Sequence, residues 1–488
     1  MAGETAGKVK GTPVDTRPVY RRRKPDETVL YQVLQEHLET FNARVEGEGA
    51  SPHWPGFVER ELASFLDCGV LAQGFCRFRC EQCGKDELVA FSCKGRGFCP
   101  SCGGRRMAEE AAHLVDRVLP EVPFRQWVLT VPHRIRYLIA FDRALCSEVR
   151  RIFIRAVQSH LRLKARRSGI CKGRTGAVVF LQRFGGSVNL NPHFHALVID
   201  GVYAASPVDD MPDFHPLIDL DDDEVHDLTW KIRGKVLRML VKKGILTGDA
   251  GPEEDLLPFG SVALGGCYTA SVQGRVGLGG RRGAYVTREG RMGDARFVAF
   301  SGERCAEADG FTLHANVRVH GRNRKRLERL CRYMARPAIA SKRLERLADG
   351  RVRYRLRHPF NDGTRAVIFD PLTLIEKLCA LVPPPRANLE TYHGVLAPNA
   401  AWRGRVVPDS GSSGSMFHGK RGIDSLGQIC RQTNLKNGRP AKADTRSTIC
   451  YMHIHPRDPM KDVEDTFRNR LLNHIEALVY QSIQIHPR

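Results

Sequence analysis

Two histidines and a tyrosine carry the chemistry that can be read most directly. His193-Phe194-His195 opens the apolar run His193-Phe194-His195-Ala196-Leu197-Val198-Ile199. In a strand, residues i and i+2 share a face. The spacing therefore presents two imidazoles side by side and turns Phe194 the other way, into a core. Two imidazoles with one oxygen donor make a three-ligand site with open positions, suited to a divalent ion acting on a phosphate. Alone the pattern is weak, because two histidines on a strand are more often unrelated surface or core residues. Its company strengthens it. Gln126 to Val131 reads as a strand before the pair, and a basic helical segment carrying Tyr333 follows it. A phenol can attack phosphorus, and the ester it forms conserves the bond for later joining.

A second pattern concerns thiols. Cys80-x2-Cys83 and Cys99-x2-Cys102 have the spacing of a four-cysteine zinc ribbon, in which two knuckles close a tetrahedron of thiolates around Zn2+. Gly84, Gly103 and Gly104 suit such turns. Cys68, Cys76 and Cys93 are left over. Cys68 and Cys93 are read as small buried residues in preference to ligands of a second site or substitutes in the first. The chain holds 15 cysteines, an odd number, and its N-terminal segment lacks the apolar middle of a secretory leader. Clustered cysteines in that setting read as metal ligands, not disulfides. Arg77, Arg79, Lys94, Arg96, Arg105 and Arg106 surround them, a charge pattern fitted to DNA.

Composition bounds the function. The 488 residues carry 76 Lys and Arg against 54 Asp and Glu, a net charge of +22, which favours a polyanionic partner. An apolar fraction of 42% excludes wholesale disorder. No run reaches the roughly 18 apolar residues of a membrane-spanning helix, so no membrane partner and a cytoplasmic location are expected.

The elements that would position these residues follow from periodicity. Helices are expected over Glu27–Arg44, Phe57–Leu66, Arg105–Leu119, Phe141–Lys164, Asp222–Lys243, Arg322–Ala335 and Asp370–Leu381. Strands are expected over Gln126–Val131, Gly176–Phe184, His193–Val202 and Thr312–His320, with a hairpin from Val352–Leu356 and Thr364–Phe369. The acidic run Asp219–Glu224 reads as a helix start matched to its dipole, and the Gly-rich stretch 246–310 resists assignment. The organisation expected is a basic arm over 1–26, a zinc-binding domain over 27–120, a catalytic domain over 121–408 and an atypical tail over 409–488. The fold class is α/β or α+β: a zinc ribbon with helices, then an antiparallel sheet flanked by helices.

The paired histidines with a helical tyrosine are what single-strand nicking enzymes of the HUH (histidine–hydrophobic–histidine) superfamily require. More specifically, RCEQC…LVAFSCKGRGFCPSC, QRFGGSVNLNPHFHALVIDGVY, FTLHANVRV…RLERLCRYMARPAIA and YHGVLAPNAAWRGRVVP resemble, in order, the rolling-circle transposases of insertion-sequence family ninety-one. The resemblance implies an N-terminal zinc-binding domain and an HUH catalytic domain. It implies Tyr333 as nucleophile and His193 and His195 as the metal-binding pair, with Mg2+ or Mn2+ as catalytic ion beside a structural Zn2+. Gln182, on the adjacent strand, is the choice for third ligand; an ordinary strand glutamine weighs equally. The substrates implied are single-stranded DNA at the ends of a mobile element and target DNA. Arg329 and Pro337 stand where a second tyrosine would lie, so the chain looks like the one-tyrosine type. Tyr392 reads as structural.

The cluster Arg322, Arg326, Arg329 and Arg332 beside Tyr333 is read as a set of phosphate contacts, ahead of a merely solvated helix face. Residues 410–488 resemble nothing in that family, as a frameshifted or fused frame would. Two rivals stand beside the transposase reading: a replication initiator with the same chemistry, and a non-catalytic or decayed zinc-ribbon DNA-binding protein. The intact Tyr333 and histidine pair argue against the second.

Overall fold

The computed structural model describes residues 23–47, 54–79, 86–208, 210–217, 220–246, 262–291, 302–408 and 453–454. Two compact units emerge, and one of them comprises 26–68 and 92–415. In the other, strands β1 (Phe75–Arg79) and β2 (Asp86–Ala90) form an antiparallel hairpin with Phe75 opposite Ala90. The large unit begins with helices α1 (Val29–Gly47) and α2 (Gly56–Asp67), followed after the hairpin by α3 (Pro100–Arg117). The helix α3 starts earlier than Arg105 because Pro100 at its first position pre-sets the backbone.

Strand β3 (Phe124–Thr130) leads to helix α4 (His133–Phe141) and helix α5 (Arg143–Arg167). The helix expected over Phe141–Lys164 is α5, starting two residues later, and α4 before it was not expected. Asp142 separates them, its carboxylate accepting hydrogen bonds from the Ala144 and Leu145 amides at 2.7 and 3.0 Å, a helix N-cap. Strands β4 (Gly176–Phe184) and β5 (Leu190–Ile199) come next, then the small hairpin of β6 (Gly201–Ala204) and β7 (Asp213–Pro216). Helix α6 (Asp222–Lys242) opens on a capping box. Asp221 accepts from the Glu224 amide and Glu224 from the Asp221 amide. That accounts for the described part of the acidic run without a metal.

Within the Gly-rich stretch lie helix α7 (Val262–Gln273) and strand β8 (Thr287–Glu289). Strands β9 (Cys305–Ala308), β10 (Phe311–His314) and β11 (Arg318–Val319) follow. The expected strand over Thr312–His320 is therefore interrupted, although β10 and β11 both pair with β3. Helix α8 (Arg324–Met334) precedes β12 (Leu344–Arg346), β13 (Val352–Arg355), β14 (Ala366–Phe369), helix α9 (Pro371–Leu381) and β15 (Glu390–Gly394). The hairpin expected near Val352 is present, with Val352 opposite Phe369.

The main sheet runs β15-β4-β5-β3-β10-β9, all antiparallel, with β11 also on β3. It is the middle layer of three. Trp127, Leu129, Phe194, Ala196 and Val198 point to one face, where helices α5 and α6 supply Phe153, Val157, Ile232 and Val236. Phe194 packs on Phe153 with ring centroids 6.4 Å apart, so it faces the core as its alternation requires. The other face, with Val178, Phe180, Leu197 and Ile199, meets Leu114 and Val115 of α3 and Leu327, Leu330, Cys331 and Met334 of α8. A further core joins α1, α2, α7 and α9 with β12, β13 and β14. The fold is α+β with antiparallel sheets, as expected.

One buried charge cluster ties three strands at the end of β5. Asp200 accepts from Arg125 Nε at 3.0 Å and Arg318 Nε at 2.6 Å, and Arg125 also reaches the Ala315 carbonyl. Asp200 and Arg125 are both buried. Removing one partner of such a pair leaves an uncompensated charge and costs about 3–5 kcal/mol. Asp200→Ala should lower unfolding stability by that amount, read as a fall in the urea midpoint at unchanged slope; an unchanged midpoint would refute the assignment.

Candidate functional site

His193 and His195 sit on β5, in the middle of the main sheet, and both side chains lie on the face that α3 and α8 cover. Their rings are 4.9 Å apart between centroids. His193 Nδ1 lies 2.7 Å from the Asn191 carbonyl, to which it donates. That bond fixes the ring and leaves Nε2 to the site. The His195 Nδ1 lies 2.9 Å from the Gln126 side-chain amide, while its Nε2 is buried and has no partner among the described residues.

Burial, opposed by the Asn191 hydrogen bond, draws the His193 pKa down to about 4, and Arg336 and Arg136 push the same way. Burial, then His193 and Arg336, holds His195 well below its ordinary value. Both rings are therefore neutral near pH 7, the form that binds metals.

Gln182 of β4 stands directly opposite His193 in the sheet register. Its Nε2 donates to the carbonyls of Tyr333 at 3.0 Å and Met334 at 2.7 Å. These are C-terminal carbonyls of α8, groups a helix leaves unsatisfied. The Gln182 Oε1 is buried with no partner among the described residues, as is Asn191 Oδ1. Buried polar atoms are almost always satisfied. His193 Nε2 and the Gln182 amide oxygen offer free lone pairs on one sheet face, and His195 joins them once the Gln126 amide turns its oxygen toward Nδ1–H; such a set suits a hard or borderline divalent ion. The three residues proposed as ligands are thus brought together.

Tyr333 lies in the last turn of α8 and is exposed. Its ring meets the His195 ring edge-on, with centroids 5.6 Å apart and planes at 89°. Arg336 covers it from another side, its guanidinium carbon 4.9 Å from the Tyr333 ring centroid. Tyr392 belongs to edge strand β15, and burial drives its phenol pKa upward, which suits the structural role expected of it.

The cysteines assemble differently from the sequence spacing. Cys68, Cys93, Cys99 and Cys102 come together with their sulfurs within 4.8 Å of one another. Measured pairs are 3.8 Å for Cys68–Cys99, 3.7 Å for Cys68–Cys102 and 3.5 Å for Cys93–Cys102. Zn–S bonds of about 2.3 Å in a tetrahedron require sulfurs about 3.8 Å apart, so the donor set fits structural zinc. Cys68 and Cys93, read as small buried residues, thus complete the cluster. Cys80 and Cys83 lie outside the described residues.

Local structure explains the arrangement. Cys68 follows the end of α2, and Cys99 is the residue that caps α3. Lys94 takes a left-handed backbone with φ of 52°, and the Gly95 amide donates to Cys93 Sγ at 3.3 Å. Glu61 of α2 accepts from the Arg96 and Gly97 amides and braces this turn. Hydrogen bonds among the four sulfurs hold the Cys68 thiol below its ordinary pKa and push those of Cys93 and Cys99 above theirs.

Residues 33–131 match the family described as "Transposase zinc-binding domain", and residues 176–403 match the family described as "Putative transposase". The chain belongs to the transposases of insertion-sequence family ninety-one. No curated protein and no solved structure matches it. Among the described residues no helix is long and apolar enough to cross a membrane.

In this transposase the basic residues near Tyr333 divide. Arg322, Arg326 and Arg329 are exposed, the last two on the helix face that ends at Tyr333, whereas Arg332 is tied to Glu328 at 2.9 Å. The tail over 409–488 falls outside the described residues apart from 453–454. Four contributors escaped the sequence reading: Gln126, Asn191, Glu61 and Arg336. Gln126 is a polar side chain at the start of a strand read as buried, and Arg336 stands three residues after Tyr333; both are visible signals.

The zinc assignment is checked by metal content. Cys68→Ser and Cys93→Ser should each release one equivalent of tightly bound zinc from purified protein and lower its melting temperature, because structural zinc contributes folding free energy directly. Undiminished zinc in both variants would exclude this four-cysteine set.

Proposed function

We propose that this transposase cuts and rejoins single-stranded DNA at the ends of a mobile element through a covalent 5′-phosphotyrosine, in the rolling-circle manner. The observation that carries the reading is the exposed Tyr333 phenol packed edge-on against His195, beside buried polar atoms without a partner among the described residues.

His193, His195 and Gln182 would hold Mg2+ or Mn2+, which supplies polarisation of the scissile phosphate when bound. All three donors are neutral; Glu110 and Glu390 line the cavity that Gln182 also lines, and burial, with Glu110 beside it, pushes the Glu390 pKa up to about 9. Asn191 and Gln126 orient the two rings through their second nitrogens. The Gln182 amide holds the end of α8 against the sheet, and so holds the Tyr333 backbone.

In the first step the Tyr333 oxygen forms a bond to phosphorus and the bond from phosphorus to the 3′ oxygen breaks. The phenol proton passes to solvent, which the 39% exposure of Tyr333 permits. The departing 3′ oxygen takes up a proton and becomes a free hydroxyl. Joining is the reverse, with a 3′ hydroxyl attacking the phosphotyrosine. Arg326 and Arg329 line the approach along α8 and would contact backbone phosphates.

The test uses the full chain, a single-stranded oligonucleotide spanning an element end, and Mg2+. Wild type should yield a covalent adduct that survives denaturation. Tyr333→Phe should lower its rate by about 10⁴-fold or more, as loss of a nucleophile does elsewhere, with DNA affinity nearly unchanged. An adduct at wild-type rate from this variant would sink the assignment. His193→Ala and His195→Ala should reduce cleavage to the level seen with a chelator while keeping the circular dichroism of the fold; normal cleavage by both would make the pair structural.

A further inference from the structure

Arg336 is the charged side chain of this region that the mechanism above does not use. It lies just beyond α8, half-buried, with its guanidinium carbon 4.9 Å from the Tyr333 ring centroid and 5.5 Å from that of Phe184. Its Nε is buried and unsatisfied, and the side chain has neither hydrogen bond nor ion pair among the described residues. Burial lowers its pKa, Tyr333 opposes that, and Arg343 and Arg357 lower it further by repulsion. Arg336 in turn depresses both site histidines. The guanidinium is therefore within electrostatic reach of the nucleophile, both imidazoles and two more arginines. None of the interactions that shift it involves a carboxylate.

A buried charge is expensive unless paired. Other buried arginines here obey that rule: Arg125 has Asp200, and Arg150 donates to the Asn388 carbonyl. Arg336 breaks it beside the reacting groups. It also borders a cavity of about 310 Å³, lined as well by Arg96, Arg106, Glu110 and Glu390, so a ligand can reach it; burial and Glu110 push the Glu390 pKa up to about 9, so that carboxyl is protonated near pH 7. A planar guanidinium suits the two non-bridging oxygens of a phosphodiester.

We propose that Arg336, with Arg343 and Arg357 beside it, forms an anion subsite that holds the scissile phosphodiester against Tyr333. The proposal rests on Tyr333 as nucleophile. Arg336 would contact the reacting phosphate, and Arg343 and Arg357 the neighbouring phosphates of the same strand. The Tyr333 and Phe184 rings flank the guanidinium at 4.9 and 5.5 Å and hold it near the phenol before DNA arrives.

The experiment replaces the scissile linkage, located by the wild-type adduct, with a methylphosphonate, which removes the charged non-bridging oxygen. Adduct rates are measured at saturating oligonucleotide with the full chain. On the natural linkage, Arg336→Gln should slow adduct formation by about 10²-fold and Arg336→Lys by less. On the methylphosphonate, wild type and both variants should react at nearly the same slow rate. Arg357→Gln, at an exposed position, should reduce the slope of log affinity against log salt by about 0.7, the value for one lost contact to a single strand.

An equal loss by Arg336→Gln on both linkages would make the residue structural and overturn the subsite, as would a wild-type rate on the natural linkage. If Arg336→Gln fails to fold, the same comparison with Arg336→Lys decides. No adduct from wild type would overturn the Tyr333 reading and the subsite with it, whereas a normal adduct from Arg336→Gln would overturn the subsite alone.

Discussion

The Gln182 side chain sets the geometry on which the candidate site depends. Its amide nitrogen is committed to the Tyr333 and Met334 carbonyls, and its oxygen stays free beside the histidines. One rigid planar group therefore spans the end of the nucleophile helix and the face of the sheet. The two sides cannot drift apart without losing two hydrogen bonds in a buried setting, each worth more there than in water. Everything upstream of that contact has to be in register. Strand β4 must pair with β5 so that Gln182 meets His193, and α8 must stop at Met334 so that its last carbonyls are free to accept.

The stop is itself arranged. Arg336-Pro337 follows α8, and Pro337 cannot continue a helix. It lies so close to α3 that a side-chain carbon on Gly103 would sit 2.7 Å from the Pro337 Cβ. Gly103 directly follows the ligand Cys102, and α3 begins at Pro100 next to Cys99. The thiolate cluster thus fixes the start of the helix against which the nucleophile helix packs. In this chain the zinc ligands help to frame the site; DNA contact need not be their main work. A bulkier residue at 103 would push on Pro337 and so on the segment carrying Tyr333 and Arg336.

Much of this was legible in the sequence where one physical rule dominated. Period-two alternation placed His193 and His195 on one face and Phe194 on the other, and Gly176–Phe184 was bounded to the residue. Capping chemistry explained the acidic run before α6. Where two rules competed, local reading failed. The short helix α4 went unread because Pro132 and the strand before it masked its start, and the helix expected from Phe141 begins at Arg143, after the Asp142 cap. Cys68 and Cys93, read as small buried residues, are brought together with Cys99 and Cys102 in the cluster. Their partnership depends on how α2 and the Lys94 turn approach α3, which is a tertiary fact that no spacing rule contains. The resemblance to the transposase family supplied what composition could not, namely that the histidines, tyrosine and cysteines belong to one machine.

The electrostatics close the argument about what enters the site. Hydrolytic metal sites built from Asp and Glu offset the charge of their ion before the substrate arrives. On this face the donors are two neutral imidazoles and an amide, and the charges that shift the imidazoles are Arg336 and Arg136, both cationic. Glu110 and Glu390 line the cavity that Gln182 and Arg336 also line, and burial with Glu110 pushes the Glu390 pKa up to about 9, so the positive side of the balance favours an anion. The exposed Arg326 and Arg329 on the Tyr333 side of α8 extend the same sign outward. A phosphodiester strand laid between them would meet positive charge at each step and reach neutral, pre-oriented donors only where the phenol waits.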